Sequence, residues 1–287
     1  MGSLPGKERD PLRPLSAWCI QSGCAAFWSR TRSFQEERLA DGRVVVRTGE
    51  ALVLRTWPFL EADLLISLFT REHGRVKGVA RHAMRSRRRF GGALEPMTHV
   101  KATWAERPRQ ELVRLDAFEI VSSPMTGSID YARVAALELI AEVLDELPEG
   151  AVEDAVFRLA VAVLAELGVG RVWMPITYFC LWMNRLMGWM PELATCVVCG
   201  TDLRRNGVWY SPHADGVTCR DDRRPGSVLL SAESIGEALR MFRGTVAELA
   251  AEDWPRARAL ELRRFAVELL ERNLERRLQS ARALARA

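Results

Sequence analysis

Val44-Val-Val-Arg-Thr-Gly-Glu-Ala-Leu-Val-Leu-Arg55 is the stretch on which the fold turns. It is dense in β-branched residues and partly alternating, which predicts a strand. Four similar runs follow: Asp63 to Thr70, Gly74 to Arg81, Met97 to Trp104 and Leu112 to Val121. The breaks between them carry turn chemistry, as at His73-Gly74 and Gly91-Gly92. Five short strands separated by polar turns predict a small barrel.

Past that segment the apolar period changes. Val134, Leu137, Leu139, Ile140, Val143 and Leu144 fit one helical face, and Val156, Leu159, Val161, Val163, Leu164 and Leu167 fit another. Trp173 to Met190 reads as a third helix, rich in Trp and Met. Residues 196–226 are loop-like and hold three cysteines, and Ala232–Phe242 and Pro255–Leu284 are helical again. Charge marks the boundary. Residues 44–124 carry 14 basic and 9 acidic side chains, whereas 125–195 carry 4 and 10. Ser122-Ser123-Pro124 supplies a turn at the sign change. The expected fold class is therefore α+β: an N-terminal β-barrel at 44–124, then an all-α domain at 125–287 with a Cys-knuckle insert at about 193–226. Residues 1–43, broken by Pro5, Pro11 and Pro14, read as a poorly ordered extension.

A chain of 287 residues with 48% apolar and 27% charged side chains is of ordinary soluble composition, so wholesale disorder is excluded. The net charge of +4 is too small for a polyelectrolyte, and any nucleic-acid role rests on local charge. The most apolar run, Val172 to Met183, stops at Asn184-Arg185, short of the ~20 residues a membrane helix needs. No apolar secretory core opens the chain. These features predict a cytoplasmic protein.

Local charge is concentrated in one place. Arg75, Lys77, Arg81, Arg85, Arg87, Arg88 and Arg89 fall within fifteen residues that hold no acid. Such a run matches a phosphate backbone, which cationic side chains neutralise with release of counterions. It starts in a predicted strand and continues beyond it, so the side chains are expected to project together from one barrel face. A solvated loop is the bland alternative. A membrane surface would want bulky apolar company, and only Met84 and Phe90 are at hand. Trp57, Phe59, Phe90 and Trp104 lie in the same part of the chain, and aromatic side chains beside a basic groove are platforms for bases. Trp57, ahead of Pro58 in an apparent loop, is the leading candidate and Trp104 the next, although any single aromatic is more often core.

Cys196-Val-Val-Cys199 has the spacing of a zinc knuckle, and Cys219 follows after nineteen residues. Asp222 stands where a second Cys-x-x-Cys would end, and His213 is an alternative fourth ligand. Three thiolates and one such group would close the site around Zn2+ and make it structural. A metal-free set of reduced thiols is the alternative, and a redox pair would need a strand-then-helix context that is missing. The Trp/Met-rich third helix is expected in the core, with a groove for a partner's apolar tail as the other reading. Nucleotide-binding, zincin and nucleophile-elbow motifs are absent. Glu61 and Asp63 form a carboxylate pair that reads as structural. No catalytic residues are predicted.

Three runs together resemble the RecO family of bacterial recombination mediators. They are Gly49-Glu-Ala-Leu-Val-Leu-Arg-Thr56, Glu61-Ala-Asp-Leu-Leu-Ile-Ser-Leu-Phe-Thr-Arg-Glu-His-Gly-Arg-Val76 and Val79-Ala-Arg-His-Ala-Met-Arg-Ser-Arg-Arg-Arg-Phe-Gly-Gly-Ala-Leu-Glu-Pro96. The likeness spans roughly residues 44–280. It implies an OB-fold barrel joined to a helical domain with a zinc-finger insert. It further implies binding of single- and double-stranded DNA, annealing of complementary strands, and help in loading RecA onto strands coated by single-strand-binding protein. The implied partners are RecR and the acidic C-terminal tail of single-strand-binding protein, which in the family docks on the helical domain. The implied location is the cytoplasm, with the nucleoid. The chain departs from the family pattern at Asp222, where a fourth Cys is common. Two rival readings are a zinc-ribbon adaptor or RNA-binding OB module, and a nuclease built on Glu61 and Asp63.

Overall fold

The computed structural model describes residues 44–86, 88–126, 129–150, 152–203, 206–211 and 216–287. The expectation for residues 1–43 lies outside the described residues.

Five strands, β1 (Val45–Phe59), β2 (Asp63–Thr70), β3 (Gly74–Ala80), β4 (His99–Glu106) and β5 (Val113–Ser122), close into a barrel in the order β1-β2-β3-β5-β4. β4 returns to pair with β1, and β3 lies parallel to β5 while the other pairs are antiparallel. This is the five-stranded Greek-key barrel of the oligonucleotide-binding fold. The parallel contact is tight. A Cβ on Gly78 would sit 2.6 Å from a Val113 methyl and 2.7 Å from the Val113 carbonyl oxygen, so only glycine fits there.

The part of the opening stretch from Ala51 to Leu54 is buried on both faces, which explains its unbroken apolar run. Ala51 and Val53 face the barrel interior with Ile66, Leu68, Val100 and Phe118. Leu52 and Leu54 face the other way and join Phe69 and Met97 in the core of the helical domain. The barrel and the helices thus share one strand.

The helical domain comprises α1 (Tyr131–Asp145), α2 (Asp154–Gly168), α3 (Trp173–Leu186), α4 (Ala232–Arg243), the short α5 (Val246–Ala250), α6 (Leu260–Asn273) and α7 (Gln279–Arg286). Asp130 caps α1 by accepting from the Arg133 N–H at 2.7 Å. The buried Arg133 guanidinium donates to the carbonyls of Pro124, Thr126 and Gly168, tying the connecting segment to the last turn of α2. α3 packs against α2 and α6 with Met174, Phe179 and Met183 buried, so most of its soft apolar surface is core. Between α3 and α4 the chain builds the knuckle and a small sheet, β6 (Val208–Tyr210), β7 (Val217–Thr218) and β8 (Val228–Leu230), in the order β7-β6-β8. Among the described residues no helix is long and apolar enough to cross a membrane.

Candidate nucleic-acid interface and metal centre

β1 runs on past the barrel. Residues 56–61 are all exposed, forming with β2 a hairpin whose tip is Leu60, held at φ 55°. Trp57 is 36% exposed and Phe59 37%. Two residues apart on a strand, they share one side of the hairpin. Trp57 is paired in register with Leu65, so it belongs to the strand and not to a loop.

The basic segment is fastened against this hairpin. The Met84 N–H donates to the Ala62 carbonyl at 3.2 Å, and the His82 N–H donates to Asp63 Oδ1 at 2.7 Å. Asp63 is thereby a turn acceptor, which explains the acid beside Glu61. Arg81, Arg85 and Arg88 are exposed, and no carboxylate among the described residues pairs with them. Arg89 is a brace. Its Nε donates to Ser86 Oγ at 3.1 Å and its Nη2 to the Arg81 carbonyl, and its guanidinium lies 5.2 Å from the centroid of Phe90. Phe90 in turn meets Phe118 edge-on inside the barrel. Arg87 lies outside the described residues.

Two expectations change. The seven cations do not share one face. The Arg75 side chain, 16% exposed, donates to the Asp145 carbonyl and reaches Glu149 Oε1 at 3.2 Å. Lys77 is 3.9 Å from the same Glu149 oxygen. Strand alternation sends both toward the end of α1, where acids meet them. Trp104 is fully buried in the barrel, with His73 edge-on at 5.5 Å and Nε1 donating to Glu106 at 3.2 Å. It has no open face for a base. Sequence reading did not single out Arg107 and Arg109, which are exposed in the β4–β5 turn with no ion pair among the described residues, and undervalued Phe59. An Arg-Pro-Arg turn between two strands was the available signal.

The cysteine cluster assembles as a potential four-ligand set. One ligand atom from each of Cys196, Cys199, Cys219 and Asp222 lies within 4.8 Å of all the others. The Cys199 and Cys219 sulfurs are 3.8 Å apart, the edge expected of a tetrahedron with Zn–S bonds of about 2.3 Å. Asp222 Oδ2 is 3.3 Å from Cys196 Sγ and 3.1 Å from Cys219 Sγ, near the corresponding sulfur–oxygen edge. Backbone N–H groups of Cys219 and Asp222 point at the Cys196 and Cys219 sulfurs, which suits thiolates. The donor set therefore fits a closed divalent site. His213 lies outside the described residues.

Comparison with known proteins agrees with this architecture. Residues 46–124 match the family model described as recombination protein O N terminal, and residues 129–282 match recombination protein O C terminal. The chain belongs to the RecO family. It is similar to the DNA repair protein RecO of Koribacter versatilis, at 51% identity over 235 residues, or 82% of this chain and 96% of that protein. The RecO proteins of Anaeromyxobacter sp. strain K and Bifidobacterium adolescentis are 33% and 32% identical, over 81% and 82% of this chain and 93% and 97% of theirs.

This RecO chain also carries a cleft of about 370 Å³ between the start of α3 and helices α6 and α7. Trp173, Leu260 and Leu284 line it, with Arg256, Arg263 and Arg282 and, on the same wall, the acids Glu268 and Glu271. Arg263 is only 5% exposed and has no carboxylate partner among the described residues. It donates to Thr177 Oγ1 at 3.3 Å and to the Arg256 carbonyl at 2.8 Å, and stacks 4.9 Å from the Trp173 centroid. Burial pushes its pKa down to about 10. A buried cation without a counter-ion favours an incoming anion.

Proposed function

We propose that this RecO chain is a recombination mediator. It holds single- and double-stranded DNA on the barrel, anneals complementary strands, and helps load RecA onto DNA coated by single-strand-binding protein. The observation that carries this reading is the pinned basic loop beside a hairpin with two exposed aromatics. Arg81, Arg85 and Arg88 would neutralise phosphates without reading sequence, while Arg87 and Arg89 would complete the patch. Trp57 and Phe59 would stack on bases. Lowering the charge on two strands reduces their repulsion, which favours annealing. Nothing in this scheme breaks a covalent bond, so no residue is assigned a catalytic role, and Asp63 is already engaged as a backbone acceptor.

The Arg263 cleft supports docking of the acidic C-terminal tail of single-strand-binding protein. Its apolar lining receives the tail's side chains and its arginines the carboxylates. RecR is the other proposed partner, and the proposed location is the cytoplasm, with the nucleoid. Cys196, Cys199, Cys219 and Asp222 would hold Zn2+, which would fasten the knuckle to the small sheet and supply no reaction chemistry.

The test is annealing of complementary oligonucleotides precoated with single-strand-binding protein, across a salt series. Acceleration that fades with salt, and fails when the acidic tail is deleted or Arg263 is replaced, is the expected result. Absence of acceleration would overturn the mediator reading and leave a basic adaptor. Tighter binding to RNA than to DNA of equal length would favour an RNA-binding module.

A further inference from the structure

The insert carries a surface that the barrel and the cleft do not use. In β6, Val208 and Tyr210 turn inward, and the Tyr210 ring meets Phe265 edge-on at 4.7 Å. Alternation therefore turns Trp209 to the other face, where it is half-buried at the centre of the three-stranded sheet beside the buried Thr218. Its cross-strand neighbour Leu229 is 41% exposed. The Arg223 guanidinium lies 4.8 Å from the Trp209 ring centroid. Arg220, Arg223 and Arg224 are all exposed, and none forms an ion pair among the described residues, although Asp221 shares their turn. One cation over the ring is an ordinary surface arrangement. Two more unpaired, exposed arginines, Arg220 and Arg224, in the same turn as Arg223 are not explained by packing.

We propose that this outer face of the insert sheet is a second contact for single-stranded DNA. A base stacks on Trp209 against Leu229, and Arg220, Arg223 and Arg224 take the flanking phosphates. The guanidinium now resting on the ring moves to a phosphate when the base takes its place. The choice of DNA as the polyanion rests on the function proposed above. With this face added to the barrel, one chain can hold two strands or two parts of one strand.

The experiment uses the full chain and an oligothymidylate carrying photoreactive 5-iododeoxyuridine, with adducts mapped by peptide mass. Adducts at Trp209 are expected alongside adducts at Trp57. Charge reversal R220E/R224E should weaken binding of a long oligothymidylate about five-fold and lower the salt slope by about 1.4, at ~0.7 per phosphate contact. The Trp57 adduct and the far-ultraviolet circular dichroism should not change. Trp209→Phe, which keeps a ring in the sheet, should retain the affinity that Trp209→Ala loses. Absence of a Trp209 adduct at saturating DNA, or unchanged affinity and slope in R220E/R224E, would overturn the proposal. A Trp209 adduct without one at Trp57 or its loop would instead overturn the barrel assignment and leave this one standing.

Discussion

Ser67 Oγ donates a 2.7 Å hydrogen bond to Asp145 Oδ1, joining strand β2 of the barrel to the end of α1. Ser67 is fully buried and Asp145 nearly so. Arg55 reaches the other carboxylate oxygen at 3.5 Å, and Arg75 lies beside the first at 3.7 Å. One acid therefore closes the seam between the two halves of the chain. Asp145→Ala leaves the buried Ser67 hydroxyl without its acceptor and takes from Arg55 and Arg75 the carboxylate they share. The expected loss is about 3 kcal/mol, read as a lower urea midpoint. An unchanged midpoint would mean that this carboxylate adds nothing to the seam.

Arg75 and Arg85 should behave oppositely, although both belong to the same basic run. R85E/R88E should weaken single-strand binding about ten-fold and lower the salt slope by about 1.4. Arg75→Ala should leave the slope alone and lower stability, because its charge is spent on Asp145 and Glu149. A salt titration of both variants separates the two roles.

Aromatic substitutions should divide in the same way. Trp57→Ala and Phe59→Ala should each cost about 1–3 kcal/mol of single-strand affinity with little effect on unfolding. Trp104→Ala should cost about 3–5 kcal/mol of stability, since it empties the barrel interior. Trp57→Ala with full affinity would remove the hairpin from the interface.

The metal assignment is tested by zinc content. The wild-type chain should retain about one equivalent through gel filtration. Asp222→Ala should lose it at far lower chelator concentration, and Asp222→Cys should hold it more tightly, thiolate being the softer donor. Equal retention by all three would exclude Asp222 as a ligand.

His99 gives a pH prediction. It is buried against Phe157, 5.6 Å between rings, and burial lowers its pKa despite Glu50 nearby. The unfolded chain then binds the proton more readily. His99 contributes stability that is fully present above its ordinary value of about 6.5 and is lost as pH falls through the lower folded value. Between pH 7 and 5, His99→Gln should flatten the decline in urea midpoint. An identical decline in the variant would assign it to other groups.

Much of this was legible in the primary structure. The five strands follow from β-branched runs whose period is local, and the Cys-x-x-Cys knuckle with its distant third cysteine follows from spacing alone. The exposed arginines at 81, 85 and 88 were legible for the same reason, as a run free of acids needs no fold to be noticed. Phe59 was harder, because the length by which β1 outruns the barrel is set by pairing with β2 and not by composition.

The sequence by itself determined the strand and helix order, the knuckle and the family, since each rests on patterns within a few tens of residues. Only the tertiary structure decided which cations are free. Arg75 and Lys77 look like their neighbours in sequence, but Asp145 and Glu149, some seventy residues away, neutralise them. It likewise decided that Trp104 is core and Trp57 is surface, and that Arg263 faces a cleft with no carboxylate paired to it among the described residues. Burial and ion pairing depend on which distant side chains the fold brings together.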